Sequence, residues 1–267
     1  MFPKYIINNG HEIELDILYS KTLEASQTKD CPSPILLRFH GGGLVTGSSL
    51  YPAFFSLWML QLIERHSAIT VSPNYRLIPE ATVQDVLDDV EDAWKWIHED
   101  LASCIFLETG IHVDVNRIMT RGDSVGGYLS LQVALSHLDK IRAVTAAYPL
   151  IEGDSLFLTG ENEKTVFGLP MLKKDIITEH MLQKKLDRRR KSSQQILLKK
   201  FCPRDRRNYH PLLRLDDGDT FPRGGVAIWQ GTEDSAVPRE GLLKLEAKLK
   251  ESDLELKFEI VWQPAWI

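Results

Sequence analysis

The stretch RGDSVGGYLS, Arg121 to Ser130, decides how this sequence is read. It contains Gly122-Asp123-Ser124-Val125-Gly126, a match to G-x-S-x-G, set between a short apolar run, RIMTRG (117–122), and the apolar helical pattern YLSLQVAL. A sharp strand-to-helix turn needs small residues on both sides, and it presents the serine hydroxyl at the carboxyl edge of a sheet. Gly127 adds a third small residue where helix and strand must pack closely. Five residues alone would equally describe a glycine-rich turn with a capping serine. The strand before the motif and the helix after it, starting at Ser124 itself, give it weight.

Outward from this turn the same rhythm recurs. PILLRFH (34–40), SAITVSPNY (67–75), IRAVTAAYP (141–149), GGVAIWQG (224–231) and LKFEIV (256–261) are short apolar runs separated by helical patterns, the signature of buried parallel strands. In the clearest helix, Val86, Leu87, Val90, Ala93, Trp94 and Ile97 share one face. Asp85, Asp88, Asp89 and Asp92 fall largely on the other, and the spacing predicts a charged solvent face rather than a cation site. A further helix is expected over roughly 238–251. YII and IELDILY flank NNG and read as a hairpin, because Asn-Gly tolerates the positive φ of a tight turn. The fold class predicted is α/β, a mostly parallel, doubly wound sheet in one domain over 1–267.

Residues 152–215 break the rhythm with helical stretches and, between Lys184 and Arg207, eleven Lys or Arg against two Asp. A helical cap inserted over the strand ends accounts for them. The basic run reads as a solvated helix face, with an acidic partner or an anionic substrate such as a coenzyme A thioester as the alternative.

Composition narrows the classes further. Of 267 residues, 43% are hydrophobic and 26% charged, and the formal net charge is -5. A chain of this kind can bury a sizeable core and has no overall attraction for nucleic acid or an anionic membrane. No apolar run approaches the roughly 18 residues of a membrane span, and the N-terminus lacks the pattern of a secretory signal. Three cysteines, Cys31, Cys104 and Cys202, suit reduced thiols better than a disulfide framework or a zinc site. The expectation is a cytoplasmic protein.

The second chemical motif is HGGG, His40 to Gly43, directly after the strand ILLRF. Acyl transfer builds negative charge on a carbonyl oxygen, and backbone N–H groups aimed at that oxygen stabilise it; losing one such donor costs roughly 3 kcal/mol. His40 and Gly41 lead into the loop, the donors fall to Gly42 and Gly43, and Val125 N–H is the third. A phosphate loop is the competing reading, but neither the Lys-Ser/Thr of a P-loop nor G-x-G-x-x-G follows.

With HGGG and GDSVGG in this order, the chain resembles the alpha/beta hydrolase fold-3 carboxylesterases, the hormone-sensitive-lipase-like branch of the α/β-hydrolases. The resemblance extends through NYRLIPEATVQDVLDDVEDAWKWI (74–97) and YPLIE (148–152) and covers roughly 34–261. It implies an α/β-hydrolase fold with Ser124 as nucleophile and Asp234, in AIWQGTEDSAVP after the strand GGVAIWQG, as the acid that orients an imidazole. Glu233 is the reserve acid, and a simple helix cap is the plain alternative for Asp234. The resemblance implies no metal or organic cofactor. The substrate it implies is a small ester, thioester or lactone beneath the cap, by analogy with fungal hydrolases of secondary-metabolite pathways.

The chain order of that fold is Ser, acid, His, with the His roughly thirty residues past the acid, on the loop after the last strand. Here LKFEIV is followed by WQPAWI, and all eight histidines, His11, His40, His66, His98, His112, His137, His180 and His210, precede Asp234. Serine is a poor nucleophile until a base takes its proton. Three readings follow. The C-terminal His loop and last helix are missing through truncation or a frameshift, which would also bear on a peroxisomal C-terminal signal. Alternatively the protein is a pseudo-hydrolase that binds a small molecule or partner without turnover. Or another histidine, His210 or His180, substitutes. Loss of a last helix would expose apolar sheet surface and favour a homo-oligomer.

Overall fold

The computed structural model describes residues 4–7, 11–21, 23, 31–153, 165–166, 169–170, 203, 205–252 and 255–264. Its centre is an eight-stranded sheet of β1 (Lys4–Ile7), β2 (His11–Leu18), β3 (Ser33–Phe39), β4 (Ile69–Pro73), β5 (Val113–Asp123), β6 (Ile141–Ala147), β9 (Val226–Gly231) and β10 (Phe258–Gln263), ordered β1-β2-β4-β3-β5-β6-β9-β10. β1 and β2 are antiparallel, as is β2 with β4, and every pair from β4 to β10 is parallel. The expected hairpin is present with Ile7 opposite His11; its NNG turn lies outside the described residues.

Helix α1 (Leu57–Arg65) follows β3, while α2 (Val83–Glu99) and α3 (Leu101–Thr109) lie between β4 and β5. Helix α4 (Val125–Ser136) leaves the serine turn, α5 (Pro211–Asp216) precedes β9, and α6 (Arg239–Ser252) joins β9 to β10. α4 is buried from Val125 to Leu135, because a helix apolar all round is stable only inside a core. No helix among the described residues is long and apolar enough to cross a membrane.

One expectation changes in detail. The acidic face of α2 is not uniformly solvated. Asp89 is fully buried and takes Arg76 in a fork, Nε at 2.9 Å and Nη2 at 2.7 Å from Oδ1, while Asp85 closes a capping box with Thr82. Arg76 sits in the loop after β4, so the pair ties that loop to the helix.

Most of the stretch 152–215 lies outside the described residues; what is described includes a two-strand ribbon, β7 (Thr165–Val166) with β8 (Leu169–Pro170), and residues 205–215. Its described end, residues 205–215, packs against the helices. Tyr209 donates to Gln84 Oε1 on α2 at 3.1 Å, Arg214 donates to Gln132 Oε1 on α4 at 2.8 Å, and Tyr209, Leu212 and Leu215 join the main core.

Candidate active site

The turn from β5 into α4 holds Ser124 at φ 55° and ψ −119°, a left-handed conformation that a residue with a Cβ adopts only under constraint. Three backbone bonds supply the constraint. Ser124 N–H donates to Ala147 O at the end of β6 at 2.8 Å, and Ser124 O accepts from Tyr128 and Leu150 N–H at 3.1 and 3.2 Å. The flanking glycines are required by space: a Cβ on Gly122 would lie 2.0 Å from Gly126 O, and one on Gly126 2.3 Å from Phe39 O and 2.5 Å from His40 O. The serine turn therefore lies backbone to backbone against the start of the HGGG loop. Gly127 packs on Pro149.

In that loop Gly42 and Gly43 both have positive φ, 109° and 64°. Gly42 O accepts the N–H groups of Val45 and Thr46, each at 3.1 Å, which closes a tight turn. The N–H groups of Gly42, Gly43 and Val125 donate to no group among the described residues. Beneath the loop His40 is buried and stacked on Tyr75 at 4.1 Å, with Nδ1 2.7 Å from Gly41 O. Tyr75 donates its hydroxyl to His40 O at 2.7 Å. Burial holds the His40 imidazole down at about 4, so it is neutral and serves as packing for the loop.

Asp234 follows β9, whose end is pinned to β10 by Thr232 N–H on Gln263 O at 2.8 Å. Oδ1 accepts the N–H groups of Ala236 and Val237, each at 2.8 Å, and Oδ2 accepts Gln230 Nε2 at 3.2 Å. The carboxylate thus closes its own turn and does not merely cap α6, which begins at Arg239. Burial pushes its carboxyl above the usual range, and these three donors oppose that. A cavity of about 630 Å³ opens beside it, lined by Leu150, Ile151, Val237 and Pro238 together with Glu233 and Arg239. β6 alone separates β5 from β9, so Ser124 and Asp234 leave strands about 10 Å apart, a gap suited to a bridging side chain.

No described histidine fills that gap. His210 is buried, with Nε2 3.3 Å from Pro203 O, and its turn is tied to Gln132, eight residues and about 12 Å down α4 from Ser124. His137 pairs with Glu91 Oε2 at 2.8 Å and stacks on Trp94, while His98 Nδ1 lies 2.9 Å from Trp94 O, both at the far ends of α4 and α2. His180 lies outside the described residues. Among the described residues no three His, Cys, Asp or Glu side chains converge as a metal site would require.

Four buried polar residues supporting the site are absent from the motif reading. Arg121, immediately before the motif, grips Asp123 through both ends of its guanidinium and lies 4.9 Å above the Trp58 ring. Arg38 in β3 donates to Ser49 O at 2.8 Å and Ser72 Oγ at 2.9 Å, and burial lowers it to about 10. These arginines fasten the segment after the HGGG loop to the nucleophile strand. Tyr75 supports His40, and Gln230 supports Asp234. The signal was in place for the arginines: a cation inside an otherwise apolar strand run is costly unless partnered.

Comparison with known proteins agrees with this fold. The chain belongs to the alpha/beta hydrolase fold family, whose pattern matches residues 36–213. It is 34% identical over 161 residues to a probable carboxylesterase from a Phoma species, covering 59% of this chain and 49% of that protein. The match thus spans about half the length of that relative. It is also 31% identical over 128 residues to a non-reducing polyketide synthase of Aspergillus calidoustus, 47% of this chain and 5% of the synthase. Among solved structures, one from work on two fungal esterases of Rhizomucor miehei superposes with a TM-score of 0.65 at 23% identity, over 98% of this chain and 72% of that one, a likeness of fold.

Proposed function

We propose that this protein is a serine carboxylic-ester hydrolase, acting on a small acyl ester, thioester or lactone. The observation that carries the reading is the strained Ser124 turn lying against a glycine loop whose N–H groups are unused. Ser124 Oγ attacks the carbonyl carbon, and the N–H groups of Gly42, Gly43 and Val125 take the developing oxyanion. Asp234 would orient an imidazole that takes the Ser124 proton and would stabilise the charge it gains; no described histidine holds that position. The likeness to the Phoma carboxylesterase supports the ester chemistry, and the likeness to part of a fungal polyketide synthase supports an acyl group of polyketide type. No nucleic acid or membrane enters the reading.

The test is hydrolysis of p-nitrophenyl butyrate by the 267-residue chain. Turnover that falls by at least about a thousandfold in Ser124→Ala supports the hydrolase. One observation favours a second reading, a binding protein using the same pocket: no described imidazole meets Ser124. A rate no higher than buffer, with acyl ligands still bound and bound equally by Ser124→Ala, would establish that reading instead.

A further inference from the structure

We infer that Gln230 is a positioning residue for Asp234, its carboxamide holding the Oδ2 edge of the carboxylate and, with it, the turn 234–237 against the end of β9. This rests on the reading of Asp234 as the acid of the site. Gln230 is 2% exposed, at the carboxyl end of the strand and four residues before Asp234. Its Nε2 faces three acceptors, Asp234 Oδ2 at 3.2 Å, Val237 O at 3.2 Å and Gly231 O at 3.5 Å.

The orientation of the amide follows from chemistry. Turned over, Oε1 would face a carboxylate and two carbonyls, all repulsive, so the NH₂ end must point into this cluster. Oε1 then lies buried with no hydrogen-bond partner among the described residues. A methionine or leucine of similar volume would avoid that desolvation penalty, so what the glutamine contributes at this position is its donor end.

Oδ1 of Asp234 is filled by two backbone N–H groups, and Oδ2 holds the Gln230 amide, which leaves one direction on Oδ2 open. Backbone donors fix where the carboxylate sits. Gln230 selects which of its lone pairs is left for an incoming N–H.

The experiment reads the contact without needing turnover. The labelled 267-residue chain is titrated by NMR from about pH 3 to pH 8, spanning the carboxylate range. The Gln230 side-chain NH₂ signals are identified by their absence in Gln230→Met, and the Asp234 Cγ signal by its absence in Asp234→Asn. Both are expected to move with one common midpoint, and the Gln230 signals to stop titrating in Asp234→Asn. That control separates Asp234 from Glu152, Glu233, Glu240, Arg239 and Lys244, which line the same cavity, and from Tyr148 and Asp123 nearby. In Gln230→Met the Asp234 midpoint is expected to rise, since a donor to the charged form is lost. Gln230 signals that stay still through the Asp234 midpoint overturn the inference, and they do so in the unsubstituted protein even if Gln230→Met does not fold. Absence of ester turnover would sink the hydrolase reading but not this contact. Where turnover is measured, Gln230→Met lowers kcat roughly ten- to a hundredfold at unchanged KM.

Discussion

Arg121 holds Asp123 through two guanidinium nitrogens, 2.9 and 3.1 Å from the two carboxylate oxygens, on the residue immediately before Ser124. Both side chains are almost fully buried. The nucleophile turn is thus anchored from below by a charge pair, and from above by the backbone contact with the HGGG loop.

Breaking that pair leaves a buried carboxylate beside Ser124. Arg121→Met should destabilise the protein by about 3 kcal/mol, and Arg121→Met combined with Asp123→Leu should recover much of the loss, because the isolated charge rather than the missing attraction dominates. Urea unfolding of both variants checks this. A double variant no better than the single one would contradict it.

The strain at Ser124 is itself measurable. Its φ of 55° suits glycine, so Ser124→Gly should stabilise the chain by about 1 kcal/mol, whereas Ser124→Ala keeps the Cβ and gains nothing. For a protein of this size the glycine variant should melt roughly 2–4 °C higher. Equal melting temperatures for the two variants would show that the turn is unstrained.

His40 makes the fold acid-sensitive in a defined window. Its folded value of about 4 lies below the unfolded 6.5, so the unfolded chain binds the proton first. Its contribution is full above pH 6.5 and is lost as pH falls from there towards 4, for a total of about 3 kcal/mol. The difference in unfolding free energy between the unsubstituted protein and His40→Asn should shrink across that window. A difference constant from pH 7 to pH 4 would be inconsistent with a neutral, buried His40.

Arg76 and Asp89 couple the loop after β4 to α2. Asp89→Asn should cost about 2–3 kcal/mol, and Arg76→Lys should also destabilise the chain, because one ammonium cannot replace the separate Nε and Nη2 bonds to Oδ1. Chemical denaturation of the two variants reads both effects.

The serine turn and the HGGG loop were legible because their requirements are local: small residues at a strand end, followed by a helix of unbroken apolar pattern. The parallel strands were legible for the same reason, each as a short buried run. Arg38, Arg121 and Gln230 each sit inside such a run, and what stayed hidden was the partner of each, set by sheet register or by the folding of a distant loop. Asp89 was misread because helical spacing places it among acids that do face water, while Arg76, its partner, arrives from 13 residues earlier. The end of the expected insertion, residues 207–215, carries no compositional mark of having rejoined the core.

The most direct measurement is ester turnover with and without the Ser124 hydroxyl. The purified 267-residue chain should hydrolyse p-nitrophenyl butyrate above the buffer rate, and Ser124→Ala should lose at least about a thousandfold of that rate while retaining its fold. Turnover absent from the unsubstituted chain, or unchanged in Ser124→Ala, would contradict Ser124 as the nucleophile of this site.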